Sequence, residues 1–280
     1  MEKEQIVAKI NELFATLPGN ILTQQDDIPA QYVGTVFFDT PLVGFGAADD
    51  ALFAEYKKVG VIGPWHKSPN EWLDGAQSVI SVFFPISEQV RASNRCMKEC
   101  ASLPWLYARI EGQRYIVQFT RTLAQWLAEN GANVCVPASD QRFSAMRVGQ
   151  GMTDYEEIDE TTFGSNWSER HAAYVCGLGT FGLSRGLITK KGIAGRFASL
   201  ITDLPLPADE RPYTDIYEYC TRCGACAVRC PVEAIDLARG KDHVRCDTQV
   251  EGSRKLFAPR YGCGLCQVKV PCEAGILKRK

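Results

Sequence analysis

Cys220-Thr-Arg-Cys223-Gly-Ala-Cys226-Ala-Val-Arg-Cys230-Pro231 is the stretch around which the rest of the chain is organised. Its cysteines fall at C-x2-C-x2-C-x3-C-P, the spacing of a loop that binds a [4Fe-4S] cubane. Three thiolates on a tight turn cap three irons, and the fourth opens a helix that points towards a second cubane. Such a loop calls for a second cysteine set. Cys246, Cys263, Cys266 and Cys272 supply it, so eight of the 12 cysteines lie within the last 61 of 280 residues.

By the cross-over of two-cluster ferredoxins, Cys220, Cys223, Cys226 and Cys272 would hold one cluster, and Cys230, Cys246, Cys263 and Cys266 the other. The second set is irregular, because five residues separate Cys266 from Cys272 and Pro271 precedes the cysteine instead of following it. Zinc is the competing ligand for so many thiols, but zinc sites bring cysteines in separated pairs, and four within eleven residues crowd one tetrahedron. Disulfides need an oxidising compartment. The N-terminus Met1-Glu-Lys-Glu-Gln is polar, and no apolar run approaches the ~18 residues of a membrane span. These features predict a cytoplasmic protein without a membrane partner, in a cell with little oxygen.

The length predicts two unequal domains. With 31 basic against 33 acidic residues, nothing in the overall charge draws the chain to nucleic acid or anionic lipid. The only basic run is the tail Lys278-Arg279-Lys280, read as a solubilising terminus.

Ile6, Ile10, Leu13, Phe14 and Leu17 recur at helical spacing before Pro18-Gly19, predicting an amphipathic helix over 2–17. Tyr32 to Phe38 reads as a strand, and Pro41 to Asp50, with Gly44 and Gly46, as a turn into a short helix. Ser78 to Phe84 is nearly all apolar and β-branched, which predicts a strand at the centre of a sheet, buried on both faces. From Trp105 to Asn130 the apolar positions recur every three or four residues up to Gly131, well placed as C′ of a long core helix. Ala132 to Val136 is the next predicted strand.

Four cysteines fall outside the cluster region. Cys96 and Cys100 match the opening of a radical-SAM loop, which needs a third cysteine where position 103 is Leu, and are read as unligated thiols. Cys135 and Cys176 are read as core residues. Between Cys176 and Leu206, closely spaced glycines separate the apolar runs Gly186–Thr189 and Phe197–Thr202. This predicts two strands joined by tight turns, with bare backbone close to a large ligand.

The pattern GLGxxGxxGLIT, a strand ending TDLPL, the cysteine motif, and Tyr261-Gly-Cys-Gly-Leu-Cys-Gln267 together resemble the cobalamin-dependent reductases, comprising epoxyqueuosine reductase and the reductive dehalogenases. The likeness runs from about Cys176 to the C-terminus and continues more weakly through Gly75–Pro85 and the helix after Trp105. It implies an α+β fold: a nitroreductase-like domain over 1–206 holding cobalamin base-off, and a ferredoxin-like domain over 207–280 with two [4Fe-4S] clusters. The corrinoid contacts it implies are Gly177, Leu178, Gly179, Gly182, Leu187, Ile188, Thr189, Ser199 and Thr202. The dehalogenase pattern of a tyrosine with a basic neighbour points to Tyr174 and Arg196 as catalytic.

Two departures argue against epoxyqueuosine in tRNA as the substrate. No Asp occupies the proton-donor slot in Thr162-Phe-Gly-Ser-Asn-Trp-Ser-Glu-Arg-His171, and the helical-repeat extension that grips tRNA has no counterpart in this sequence.

The chemistry of the residues agrees with this. Two cubanes form a one-electron relay, and a relay fused to a glycine-lined pocket implies a redox cofactor in that pocket, cobalamin first and flavin as the competitor. Ser165, Asn166, Glu169, Arg170, His171 and Arg185 are the candidate polar groups of the pocket. His66 and His243 are read as surface residues, with His243 also a replacement cluster ligand. Three functions stay open: a reductase of a small molecule, a non-catalytic electron carrier or activator of a corrinoid protein, and a corrinoid-binding protein. The expected partners are an external low-potential electron donor of ferredoxin or flavodoxin type and a small-molecule substrate or corrinoid protein, with no nucleic acid.

Overall fold

The computed structural model describes residues 1–146 and 164–277. Thr162, Phe163 and the basic tail Lys278-Arg279-Lys280 lie outside the described residues. The first half of the chain runs α1 (Lys3–Thr16), β1 (Leu42–Ala47), α2 (Ala51–Glu55), α3 (Pro69–Trp72), β2 (Ser78–Pro85), α4 (Glu88–Arg95), α5 (Leu103–Glu129) and β3 (Val134–Cys135). There follow β4 (Ala145–Met146), β5 (Gly164–Ser165), α6 (Glu169–Val175), β6 (Gly179–Phe181), β7 (Leu187–Thr189), β8 (Gly195–Thr202), α7 (Ala225–Val228), β9 (Ile235–Asp236), β10 (Gly240–Lys241) and α8 (His243–Phe257).

β2 is an inner strand of a four-stranded sheet in the order β1-β2-β8-β3, with every pairing antiparallel. All eight of its residues are buried, as its unbroken apolar sequence requires. One face of the sheet, with Ile80, Val82, Phe84, Ala198 and Leu200, packs on α1 and α5 through Ile6, Ile10, Leu106, Ile116, Phe119 and Leu123. The other face, with Val79 and Ile201, takes Ala172, Val175 and Cys176 from α6 and the turn after it. The result is a mixed α/β fold with helices on both faces of an antiparallel sheet.

Helix ends follow their local chemistry. A capping box between Glu2 and Gln5 opens α1, the Ser102 hydroxyl accepts from Trp105 N–H at the start of α5, and Gly131 (φ +88°) ends α5.

Three predicted elements differ. Tyr32–Phe38 is the end of a 3-10 turn followed by extended chain whose β-pairing is limited to the isolated bridges Ile21 with Val36 and Phe38 with Ile86. Pro41–Asp50 is mostly strand β1, because Gly44 and Gly46 serve packing instead of a turn. A Cβ at Gly44 would stand 2.2 Å from the Cys176 carbonyl oxygen, and one at Gly46 3.1 Å from the Cys176 Sγ. β7 pairs with β6 in a hairpin of its own, while β8 joins the main sheet, so the two glycine-flanked strands are not partners.

The cysteine-bearing segment is tied closely to the sheet. Ile193 N–H donates to the Cys272 carbonyl at 2.9 Å. Glu273 lies between Arg95 (Nη2–Oε1 2.6 Å) and Arg91 (3.7 Å), and Arg260 pairs with Glu111 at 2.8 Å.

Candidate iron–sulfur and cofactor site

Gly224, at φ +77°, turns the chain so that α7 starts between Cys223 and Cys226. Cys220, Cys223, Cys226 and Cys272 then line one small cavity whose remaining wall is mostly apolar, with Ile188, Ile193, Val270 and Leu277 beside Ser184 and Thr221. Burial, followed by the other thiols, raises the pKa values here. Cys226 rises to about 11, with Cys266, Cys220 and Cys223 contributing, and Cys272 to about 12, with Cys226, Cys220 and Cys223 contributing. Burial lifts Cys263 to about 12, helped by Cys266, Cys246 and Cys230, and Cys266 is raised by burial against the pull of Lys241. Cys226 and Cys272 thus both lie in the field of Cys220 and Cys223, and Cys263 and Cys266 both in that of Cys246 and Cys230, while Cys226 also feels Cys266. The four thiolates of a cubane each hold a different iron and stand further apart than the ligands of one ion. Among the described residues, no three His, Cys, Asp or Glu side chains converge on a single metal-ion position.

Beside this segment lies a crevice made of two cavities that share Arg170, Arg185 and His243. The first, about 350 Å³, has Val61, Ile62, Phe143 and Phe181 on its apolar side and Ser165, Ser168 and His171 on its polar side. The second, about 240 Å³, is walled by Arg109, Lys241, Asp247, Glu251, Arg254 and Tyr261, with Cys246 in the wall and a Ser184 hydroxyl that has no hydrogen-bond partner. α8 supplies Cys246, Asp247, Val250, Glu251 and Arg254 at the three- and four-residue spacing of one helix face.

The cations crowd one another. Arg196 is brought down to about 9 by burial and then by Arg109 and Arg170, and His243 to about 3 by burial and then by Arg185, Lys241 and Arg170. Arg170 keeps accessible surface where it faces the two cavities, yet burial still lowers its pKa.

An apolar wall opposed by hydroxyls, ring nitrogens and guanidinium groups suits a flat macrocycle rimmed with amides, and it also accommodates an anionic group. The residues present therefore fit a corrinoid.

Four of the six expected pocket groups, Ser165, Arg170, His171 and Arg185, line the crevice together. Asn166 instead bridges backbone, accepting from Ser144 N–H and donating to the Arg142 carbonyl. Glu169 is a half-buried residue whose two carboxyl oxygens are buried without a hydrogen-bond partner, and burial of the carboxyl pushes it up to about 7 against the pull of Ser199 and Trp167. His66 is not on the surface. It is 2 % exposed, stacked on Trp167, and burial brings it down to about 4. Cys135 and Cys176 are buried thiols, as read, and Cys96 is exposed.

Tyr174 and Arg196 do not meet. Tyr174 sits in an aromatic cluster with Phe181 and Tyr213, and its carbonyl accepts from the Tyr213 hydroxyl. Arg196 lies on the α5 side of the sheet and donates to Gln113 at 2.9 Å.

Of the nine expected corrinoid contacts, none lines the crevice. A Cβ on Gly179 would stand 2.0 Å from the Ile188 carbonyl oxygen and one on Gly177 2.8 Å from that of Glu210, so these glycines admit the chain's own backbone. Gly182 and Ile188 wall the cysteine cavity. Leu187, Thr189, Ser199 and Thr202 are fully buried, and the Ser199 hydroxyl takes the indole N–H of Trp167 at 2.9 Å. Leu178 is 8 % exposed in the aromatic cluster.

Comparison with known proteins bears on the cysteine segment and on the fold in turn. Residues 213–236 match the family model for the 4Fe-4S binding domain, which makes the C-terminal region an iron–sulfur segment of ferredoxin type. The whole chain is then similar in fold to epoxyqueuosine reductases. The Bacillus subtilis structure is 17% identical over 98% of this chain and 66% of its own, with a TM-score of 0.51. A structure titled as a complex with an epoxyqueuosine-modified tRNA stem loop gives 18%, 99%, 66% and 0.51. The chain thus spans about two thirds of these structures. A reductive dehalogenase described as B12-dependent is a more distant neighbour, 14% identical over 83% of this chain and 29% of its own, with a TM-score of 0.39. No curated protein matches the chain by sequence. Among the described residues, no helix is long and apolar enough to cross a membrane.

Proposed function

We propose that the chain is a cytoplasmic iron–sulfur, cobalamin-dependent reductase of a small substrate, with a nitroreductase-like corrinoid unit over 1–206 and a ferredoxin-like unit over 207–280. One cluster is held by Cys220, Cys223, Cys226 and Cys272, and the other by Cys230, Cys246, Cys263 and Cys266. The carrying observation is that Cys246 stands in the wall of the basic crevice, which brings a cluster ligand to the edge of the ligand space. The clusters supply single electrons, and the corrinoid supplies the reducing chemistry at the substrate.

The chain's own residues bind and orient. Val61, Ile62, Phe143 and Phe181 would cover a macrocycle face and exclude water, while Ser165, Ser168 and His171, on the polar side of the same cavity, would meet its amides. His171 is held neutral, because burial, then His66 and Arg170, bring it down to about 3, so it can accept as well as donate at pH 7. An external low-potential protein is the electron donor.

The separation of Tyr174 from Arg196 favours the second reading, an electron-transfer activator of a corrinoid protein, because that expected pair is not brought together at the crevice.

Anaerobic purification with iron analysis and a spectral titration with cobalamin tests the proposal. About eight irons per chain and a shifted corrinoid spectrum are expected. Near four irons would leave a single cluster, and an unchanged spectrum would remove the cofactor. Turnover of epoxyqueuosine in tRNA would overturn the small-substrate assignment.

A further inference from the structure

We propose that the Arg170–Arg185–Lys241 corner of the crevice is an anion site, taking a phosphate or carboxylate group of a small molecule beside the second cysteine set. The cavity stands without any assumption about the corrinoid, and only the identity of the neighbouring cluster rests on the function proposed above.

Five cationic side chains line the smaller cavity, Arg109, Arg170, Arg185, Lys241 and Arg254, against two carboxylates, Asp247 and Glu251. Glu251 is already committed to Arg254 at 3.1 Å. Arg170, Arg185 and Lys241 have no carboxylate within salt-bridge distance among the described residues. The Ser184 hydroxyl adds a donor with no partner of its own. Arg185 is held at φ +57° on the Gly182–Gly186 turn, where its guanidinium meets His243 Nε2 at 2.6 Å. The depressed pKa values of Arg196 and His243 follow from this crowding.

The bland alternative is that these cations only neutralise the cluster thiolates. Arg170 and Lys241 do lie in the field of Cys246 and Cys266, but Arg185 is turned to His243, and the space between them is a cavity of about 240 Å³ that opens into the larger one. Guanidinium forks around such a space match the oxygens of a phosphate or carboxylate. The anion has two sources with one chemistry: the phosphodiester of a corrinoid's nucleotide loop, or the charged end of a free substrate.

The test uses the full chain, purified anaerobically with its clusters and free of corrinoid, and titrated calorimetrically with inorganic pyrophosphate. Saturable binding is expected, weakened at least tenfold in Arg170→Gln and in Arg185→Gln. It should be unchanged in Arg239→Gln, where an 87% exposed side chain loses the same charge elsewhere. The cluster absorbance of each variant reports that the fold is intact. Absence of pyrophosphate binding, or binding indifferent to both crevice variants, overturns the proposal. A parallel titration compares cobalamin with cobinamide, which has the ring without the phosphodiester. A tenfold preference for cobalamin that Arg170→Gln erases assigns the site to the cofactor. Equal affinity for the two, with pyrophosphate still bound in their presence, assigns it to a free substrate. If neither corrinoid binds, the cofactor reading falls while the pyrophosphate result still decides the anion site.

Discussion

Arg260 precedes Tyr261-Gly262-Cys263 and reaches back to α5, so removing it should release the second cysteine set from the sheet. Its guanidinium contacts Glu111 (Nε–Oε1 2.9 Å, Nη2–Oε1 2.8 Å) and Asp27 (2.5 Å) and lies over the Tyr107 ring at 4.8 Å. Side-chain exposure is 8% for both Arg260 and Glu111, so the pair is desolvated, whereas Asp27 at 52% is screened and adds little. Arg260→Met would leave the Glu111 carboxylate buried with no counter-charge, its Oε2 already unpartnered. Breaking a pair of this kind costs about 3–5 kcal/mol. At roughly 2–4 °C per kcal/mol for a large domain, the melting temperature should fall by roughly 6–20 °C. Arg260→Met with Glu111→Leu removes both charges and should recover most of the loss, since apolar replacements of a buried pair are often neutral. Equilibrium urea unfolding under anaerobic conditions gives the four corners of the cycle. A single variant that loses less than about 1 kcal/mol, or a double variant that loses the sum of the singles, would refute the assignment of a desolvated pair.

Cys272→Ala should lower the iron content from about eight to about four per chain and loosen the C-terminal segment, measured by iron analysis and proteolysis; retention of both cluster signals would move that ligand elsewhere. Gly179→Ala should destabilise the β6–β7 hairpin as a whole, because its Cβ meets the Ile188 carbonyl at 2.0 Å, and thermal unfolding should show this with or without corrinoid. For His66, the folded pKa of about 4 lies below the ordinary 6.5, so the unfolded chain binds more protons between those values and stability declines as pH falls from 6.5 towards 4. His66→Phe should flatten that part of the pH–stability curve. For Glu169, at about 7 against an ordinary 4.5, the sign reverses, and stability declines as pH rises through that window. Glu169→Gln should therefore stabilise the protein above pH 7, by at most about 3 kcal/mol; an unchanged denaturation midpoint at pH 8 would count against a buried neutral carboxyl.

The sequence was most legible where one kind of residue had one job. The uninterrupted apolar run of β2 and the three- to four-residue repeat of α5 are read correctly because burial on two faces, or along one stripe, imposes those patterns directly. Glycine was harder to read, since it serves turns and close packing alike. Gly44 and Gly46 admit the end of α6 and the turn after it against a strand, and Gly179 admits the partner strand of its own hairpin, so the glycine-rich stretch reports the chain packed on itself. His66 was misread because a lone polar residue between turns carries no signature of the rings of Tyr56 and Trp167 that enclose it. The crevice was half legible. Ser165, Arg170, His171 and Arg185 lie close enough in sequence to be grouped, whereas Arg109, Lys241 and Arg254 come from α5, β10 and α8 and meet only in the fold.

The overall charge of −2 has the same limitation. A balanced total says little about where cations gather, and here they gather on the crevice wall that contains Cys246. That position links the crevice to folding. Cys246 belongs to α8, whose Ser253 hydroxyl accepts from Gly262 N–H at 2.8 Å. Arg260 and Gly264, the latter at φ +70° with the Trp105 indole 2.0 Å from where its Cβ would be, fix the following loop to α5. The side chains that set the crevice's charge and those that hold the second cysteine set thus share one helix and one loop. Because metal binding stabilises only the arrangement it binds, cluster insertion should order α8 and, with it, the wall formed by Lys241, Asp247, Glu251 and Arg254. In the cluster-free chain, the sheet core around β2 and α5 retains its own apolar packing, and loss of order is expected first in α8 and the crevice wall.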